Sequence, residues 1–278
     1  MRRGIPGRIA VVGLGTMGEA IVRGILQRKL APPSRLRGTV RTKGRAQKLS
    51  EDLGLEITTN NFEAVRGAST VVLCLKPQNV LTELQHLATA GGLNEKSLII
   101  SIAAGVQTEE IEAVLGVPCP VIRAMPNTPC AIGRGTTALT GGVRAEAKHL
   151  KIAHALFDPL GVTHDIEEKH FDIVTGLSGS GPAFGYLMIE SLADGGVMMG
   201  LPRAVATELA ARTLLGAAEM VLATGSHPAS LKDDVTTPGG CTIAGILALE
   251  DGKIRSTLAR AVERAAEKAA GLVDGAPR

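Results

Sequence analysis

Ile9-Ala10-Val11-Val12-Gly13-Leu14-Gly15-Thr16-Met17-Gly18 is the stretch whose reading decides the fold. A short apolar run leads into Gly-x-Gly-x-x-Gly, and Glu19–Leu30 then carries apolar residues at helical spacing. Strand, glycine turn and helix in that order form the context of a dinucleotide loop. Gly13 permits the tight turn, Gly15 lets the backbone approach a pyrophosphate, and Gly18 lets the helix pack on the strand. The free amides at the helix start, from Thr16 and Met17 onward, suit phosphate.

Working outward, the alternation continues. Arg35–Val40 reads as a second strand, Ala46–Leu53 as a helix, and Thr70–Leu75 as a β-branched run fit for a buried parallel strand. Val80–Ala90 is helical in pattern, Ser97–Ile102 is strand-like, and Ala103-Ala104-Gly105 is a turn. Thr108–Val114 reads as a helix with Thr108 as its N-cap. Ile111 then falls three residues on, so no capping box is expected. Val121–Ala124 is a further strand. The βαβ alternation predicts an α/β domain with a doubly wound parallel sheet over residues 1–165.

Strand signals stop near residue 166. Pro182–Met199, Pro202–Ala223, Thr242–Leu249 and Ser256–Leu272 read as helices, rich in alanine. Residues 166–278 are therefore expected to form an all-helical domain. It is too short to enclose much core and is expected to complete it against a second subunit.

Ligands bind at the carboxyl ends of parallel strands. Cys74-Leu75-Lys76-Pro77 and Ile102-Ala103-Ala104 are expected to face the crevice opened by Gly13–Gly18. Lys76 reads as a cofactor-side cation rather than a catalytic acid, since Pro77 locks the loop beside it. The second strand ends in Val40-Arg41-Thr42-Lys43, with Arg45 close by, and no carboxylate occurs between Glu19 and Glu51. An acid there would bond a free ribose 2′-hydroxyl, whereas Arg41 and Lys43 attract a 2′-phosphate. NADPH is the expected cofactor, with NADH also admissible; an ordinary solvated basic turn is the bland alternative.

A second glycine loop, Thr236-Thr237-Pro238-Gly239-Gly240-Cys241-Thr242, precedes a helix. The amides of Gly240, Cys241 and Thr242 can hold a carboxylate, or the segment is an interhelical turn with threonine capping. Leu177-Ser178-Gly179-Ser180-Gly181-Pro182 reads as a tight passage between packed helices rather than an anion site.

Composition removes other classes. Aromatic residues make up 2% with no Trp, and the net charge is +3. Stacking platforms for nucleic acid are thus missing. No apolar run reaches the roughly 20 residues of a membrane span. Met1-Arg2-Arg3 leads directly toward a strand, with no signal-peptide pattern, so the cytoplasm is expected. The four cysteines lack zinc spacing and read as buried reduced thiols; the six histidines show no ligand pattern, and no metal is expected. With no strong acid–base constellation, the reaction best suited to the chain is one whose substrate carries its own activation, such as hydride addition to a protonated imine.

The motifs, taken together, resemble the Δ1-pyrroline-5-carboxylate reductase family. They are Gly13–Gly18, Lys76-Pro77, Ser101-Ile102-Ala103-Ala104-Gly105-Val106 and Arg123-Ala124-Met125-Pro126-Asn127-Thr128-Pro129. They continue through Gly176–Ala183, Ala193-Asp194-Gly195-Gly196, His227-Pro228, Leu231-Lys232-Asp233 and Thr237–Thr242. The resemblance implies a Rossmann domain followed by a helical dimerisation domain, with dimers assembling into a homodecamer. It implies reduction of (S)-1-pyrroline-5-carboxylate to L-proline, the last step of proline biosynthesis. It places the substrate carboxylate at Thr237, Gly240, Cys241 and Thr242, Thr242 near the ring nitrogen as the catalytic residue, and Glu168 near the substrate. It also places Asn61 at the cofactor and Lys76-Pro77 and Ala103-Ala104 on the nicotinamide side. Asp234 stands where the family often has Asn, which departs from that polar cofactor contact.

A β-hydroxyacid dehydrogenase would need a lysine in a long helix of the second domain, and Pro182–Ala223 contains none. A related cyclic-imine reductase, or a non-catalytic NADPH-binding regulatory protein, are the remaining alternatives.

Overall fold

The computed structural model describes residues 4–271; the expectation resting on Met1-Arg2-Arg3 and the expected helix end at Leu272 lie outside them. The described residues form two compact units, one of residues 4–179 with 264–271 and one of residues 180–263.

The first unit is built on one sheet of eight strands in the order β3-β2-β1-β4-β5-β6-β7-β8. These are β1 Ile9–Val12, β2 Leu36–Thr39, β3 Glu56–Thr58, β4 Thr70–Leu73, β5 Leu98–Ser101, β6 Val121–Pro126, β7 Gly135–Gly141 and β8 Gly161–Asp165. The first six run parallel. β1 lies between β2 and β4, so the chain reverses its direction of winding there. That reversal opens a crevice at the carboxyl end of β1.

Period-2 alternation divides the strand residues between two cores. Ile9 and Val11 join a cluster with Ile21, Val22 and Ile25 of α1 (Thr16–Gln27) and Leu49 and Leu53 of α2 (Lys43–Leu53). Ala10 and Val12 point the other way. They pack with Val65 of α3 (Asn61–Val65), Val80, Leu84 and Leu87 of α4 (Pro77–Thr89), and Ile111 and Leu115 of α5 (Thr108–Leu115). β1, β4 and β5 are buried along their whole length, which explains their continuous apolar sequence.

The sheet is larger than the sequence pattern suggests. β7 pairs antiparallel to β6 and β8 pairs parallel to β7, with α6 (Ala147–Phe157) connecting them. β7 reads Gly-Thr-Thr-Ala-Leu-Thr-Gly, whose threonines and terminal glycines mask an ordinary strand. The three-residue β3 is too short to show a period. At α5 the cap lies one residue before Thr108. Gln107 is the N-cap, and its backbone N–H donates to Glu110 Oε2 at 2.7 Å. A capping box is therefore present, with Glu110 rather than Ile111 as its third residue.

The sheet ends at Asp165, yet the compact unit continues to Gly179. The continuation includes α7 (Phe171–Val174) and a π-turn over Thr175–Gly179. Its anchor is Arg123 of β6, 2% exposed, which donates to Glu168 Oε1 at 2.6 Å and lies 4.7 Å above the Phe171 ring. The boundary expected at 165/166 is thus the end of the sheet, while the break in packing comes at 179/180. A Cβ on Gly179 would come 2.8 Å from Met125 Cε, so the glycine-rich passage is tight, but against β6 rather than between helices.

The second unit holds α8 (Gly181–Met198), α9 (Arg203–Thr224), α10 (Pro228–Asp234) and α11 (Cys241–Asp251). α12 (Ile254–Ala270) begins in it. α8 and α9 pack through Ala193, Ala206 and Ala210, its whole buried cluster. Tyr186, Leu187, Leu209, Leu215, Met220 and Leu222 remain at least half exposed, and α11 buries nothing. Helices apolar on every side that lack a core of their own require a covering surface.

Candidate cofactor and substrate sites

The turn after β1 is fastened from β2. Thr39 accepts from Gly13 N–H at its Oγ1, 2.9 Å, and from Leu14 N–H at its carbonyl, 2.7 Å. The three glycines face different surroundings. Gly13 has φ +92°, and a Cβ there would come 2.7 Å from the Cys74 carbonyl oxygen. A Cβ on Gly18 would meet the Gly13 carbonyl carbon at 3.2 Å, with its oxygen nearer still, and Cys74 Cβ at 3.3 Å. Gly15 has nothing within 4 Å. The loop is thus closed behind and open in front. α1 begins at Thr16 with no side-chain cap, so the amides of Thr16, Met17 and Gly18 lack intrahelical partners.

A cavity of about 660 Å³ opens at this loop. Gly13, Leu14, Gly15, Arg41, Thr42, Asn61, Cys74, Leu75 and Lys76 line it, from four separate chain segments. Arg45 lines it too and donates to the Leu14 carbonyl at 3.0 Å, so it braces the glycine loop. Thr16, Met17, Gly18, Lys43, Pro77, Ile102, Ala103 and Ala104 are not among its walls. Lys43 and Pro77 are instead the first residues of α2 and α4, and Ala103 is buried against the α4–α5 side of the sheet. Asn79, Thr82 and Glu83 of α4 complete the wall and carried no signal in sequence, since a polar helix face normally means solvent.

The basic character of the β2 end, with Arg41 and Arg45 both at the cavity, matches an anionic ligand. These residues fit a dinucleotide carrying a 2′-phosphate. Cys74 supplies no nucleophile, because desolvation pushes its thiol up to about 12.

The second glycine loop belongs to the helical unit. Thr237–Gly240 forms a turn in which Gly240 N–H donates to the Thr237 carbonyl at 3.0 Å. Pro238 and Gly239, at φ +69°, hold the two central positions that a type II turn demands. Gly240 is the N-cap of α11, so the amides of Cys241 and Thr242 stand free at the helix start. A Cβ on Gly240 would strike Thr237 Oγ1 and its carbonyl. Among the described residues the hydroxyls of Thr237 and Thr242 make no hydrogen bond to protein. All four cysteines are free. The expectation that all are buried fails at Cys241, which is exposed because it opens α11 on this loop, while Cys74 is only half-buried. Asp234 ends α10 and is exposed.

Glu168 belongs to the first unit, where both carboxylate oxygens are engaged: Oε1 by Arg123 and Oε2 by Thr108 Oγ1 at 3.0 Å. Asp172 Oδ1 lies 3.6 Å from Arg123 Nη2, too far for a hydrogen bond. The buried Arg123 is therefore the organising charge of this cluster. Among the described residues no group of His, Cys, Asp and Glu is placed to hold a metal. None of the helices described is long and apolar enough to cross a membrane.

Comparison with known proteins decides the family. The family model described as pyrroline-5-carboxylate reductase dimerisation matches residues 168–272, and that described as NADP oxidoreductase, coenzyme F420-dependent, matches residues 8–105. Pyrroline-5-carboxylate reductase of Glycine max is 43% identical, with 95% of each chain covered. The chain belongs to the pyrroline-5-carboxylate reductase family. The enzyme of that name from Pseudomonas aeruginosa is 34% identical, covering 96% of this chain and 97% of its own. The solved Plasmodium falciparum pyrroline carboxylate reductase with NADP bound superposes with a TM-score of 0.87 at 31% identity, covering 96% of this chain and 98% of its own. The match to the dimerisation model falls on the helices whose apolar faces are left uncovered in the single chain.

Proposed function

We propose that the protein is a pyrroline-5-carboxylate reductase, reducing (S)-1-pyrroline-5-carboxylate to L-proline with NADPH. The observation that carries this reading is that a chain of this family has two phosphate- or carboxylate-ready backbone loops, one in each unit. One opens on a cavity with two arginines, and the other heads α11 with free amides and hydroxyls.

A bound NADPH would supply hydride for the imine carbon of the protonated ring, whose nitrogen keeps its proton as the C=N bond becomes a single bond. The chain's own contribution is orientation. In the first unit, Gly13, Leu14, Gly15 and the amides of Thr16, Met17 and Gly18 receive the pyrophosphate. Arg41, Thr42 and Lys43 receive the 2′-phosphate, with Arg45 bracing the loop. Asn61, Cys74, Leu75, Lys76, Pro77, Ile102, Ala103 and Ala104 complete the cofactor side. In the helical unit, Thr237, Gly240, Cys241 and Thr242 hold the substrate carboxylate through fixed N–H and O–H donors. Thr242 is the catalytic residue, its hydroxyl positioned to hold the ring nitrogen and its proton, and Glu168 supports the substrate side. Holding two reactants in register accounts for up to roughly 7–11 kcal/mol of barrier reduction.

The reading divides the chain into a cofactor domain, residues 1–165, and a substrate and dimerisation domain, residues 166–278. A second copy of the chain covers the exposed leucines of α8 and α9, and the dimers build a cytoplasmic homodecamer. Light scattering that returned a monomer would refute the assembly. The activity is tested by following oxidation of NADPH and NADH with pyrroline-5-carboxylate, with proline as the product assayed. Thr242→Ala should lower kcat/KM, and Arg41→Ala should raise KM for NADPH more than for NADH. Equal effects on both cofactors would remove the 2′-phosphate role, and folded protein that binds NADPH without turnover would remove the activity.

A further inference from the structure

The dinucleotide cavity carries one acidic group among its cationic ones. Arg41, Arg45 and Lys76 line it as an anionic ligand requires, and so does Glu83. Asn79, Thr82 and Glu83 occupy positions i, i+3 and i+4 of α4, so they form one polar stripe along that wall. Glu83 is half-buried, and Asn61 Nδ2 donates to its Oε1 at 2.9 Å. Among the described residues no Lys or Arg pairs with it. A carboxylate held in this way repels a phosphate, so it must meet a neutral part of the ligand that donates hydrogen.

The adenosine end of a phosphorylated dinucleotide, the end that the Arg41 charge in the same cavity suits, offers two such parts: its ribose hydroxyls and the 6-amino group of its adenine. A carboxylate on the ribose selects the cofactor without a 2′-phosphate, which contradicts Arg41 and Arg45 in the same cavity. The edge of adenine presents an amino donor beside ring-nitrogen acceptors. The α4 stripe presents the complement: the acceptor carboxylate of Glu83 beside the hydroxyl of Thr82 and the amide of Asn79. We infer that the Asn79–Thr82–Glu83 face of α4 reads the amino edge of the cofactor's adenine, with Glu83 as the residue that specifies the base. This rests on the cavity being the dinucleotide site.

The test is equilibrium binding to the full-length protein, by calorimetric titration of NADPH, NADH and the deamino analogue of NADPH, whose 6-amino group is replaced by a carbonyl. Wild type should bind the deamino form roughly tenfold more weakly than NADPH, the scale of one hydrogen bond to a charged group. Glu83→Gln keeps the shape and an acceptor for Asn61, and its amide can donate to the new carbonyl. The ratio between the two forms should then fall to within about twofold, as expected from exchanging a charged acceptor for a neutral amide that serves either base. Equal affinities in wild type, or a variant that changes the NADPH-to-NADH ratio instead, would overturn base recognition. Arg41→Ala separates the two readings. If it weakens NADPH binding while Glu83→Gln leaves the base ratio unchanged, only the adenine assignment falls. If neither substitution alters binding, the cavity is not the cofactor site and both fall.

Discussion

Alanine at Gly15 and alanine at Gly18 add the same methyl group to the same loop, and the structure assigns them opposite consequences. At Gly18 the methyl meets the Gly13 carbonyl and Cys74 Cβ, both fixed by β1 and β4. Neither is the far end of a flexible side chain, so α1 must move off the sheet. Overpacking of this kind costs about 1–3 kcal/mol. At roughly 2–4 °C per kcal/mol for a chain this size, the melting temperature of the free protein should fall by several degrees. At Gly15 the methyl meets nothing within 4 Å, and the backbone angles, φ −83° and ψ −163°, suit any residue. Alanine restricts the unfolded chain, a gain of about 0.4–1 kcal/mol, but it is a poorer N-cap than glycine by a similar amount. The free protein should therefore melt within a degree or two of wild type, taking the net change as about 0.5 kcal/mol or less. The loss appears on adding NADPH, where the methyl occupies the space through which the backbone approaches the pyrophosphate. A penalty of about 1–3 kcal/mol weakens binding roughly 5- to 150-fold. Melting curves and fluorescence titrations of both variants make the comparison. Wild-type NADPH affinity in Gly15→Ala would refute the backbone approach, and an unchanged melting temperature in Gly18→Ala would refute the packing argument.

Arg123→Met should cost about 3 kcal/mol or slightly more, since it strips a buried guanidinium from Glu168 and Asp172, both still partly wetted. A urea midpoint within error of wild type would show that the cluster does not hold residues 166–179 to the sheet. Desolvation raises the thiols of Cys74 to about 12 and Cys119 to about 11. In the unfolded chain they lose protons near pH 8.5, so there the unfolded state binds fewer protons than the folded one. Stability should fall as pH rises from about 8.5 toward 11, and a Cys74→Ala, Cys119→Ala double variant should fall less steeply in denaturant titrations. An identical slope would refute this assignment. Leu209→Glu with Leu215→Glu, on an α9 that leaves both half exposed, should split the oligomer in sedimentation while leaving NADPH binding to the first unit intact. Retention of full mass would show that another face pairs the subunits.

Much of this architecture was legible because its signals are local. β1, β4 and β5 are buried on both faces, so their sequences are continuous apolar runs. The long helices α8 and α9 are bounded by proline and glycine, which act within a few residues. β3, β7 and β8 escaped because the short or polar edge strands β3 and β8 and the threonine-rich β7 are stabilised by their neighbours' ladders rather than by their own pattern. The cap of α5 was misplaced by one residue because threonine is the stronger capping residue by type, while the reach of Glu110 back to Gln107 decided the register.

The sequence by itself determined that a dinucleotide loop opens an α/β domain, that the β2 end is basic, and that a helical half follows. Each of these depends on residue identity and spacing along the chain. Only the tertiary structure decided that Gly15 faces open space while Gly18 faces a carbonyl, and that Arg45 braces the loop. It also brought Glu83 to the cavity beside Asn61 and joined Glu168 to a buried arginine 45 residues away. These facts depend on which side chains the doubly wound sheet brings together across long stretches of chain, and no local pattern records them.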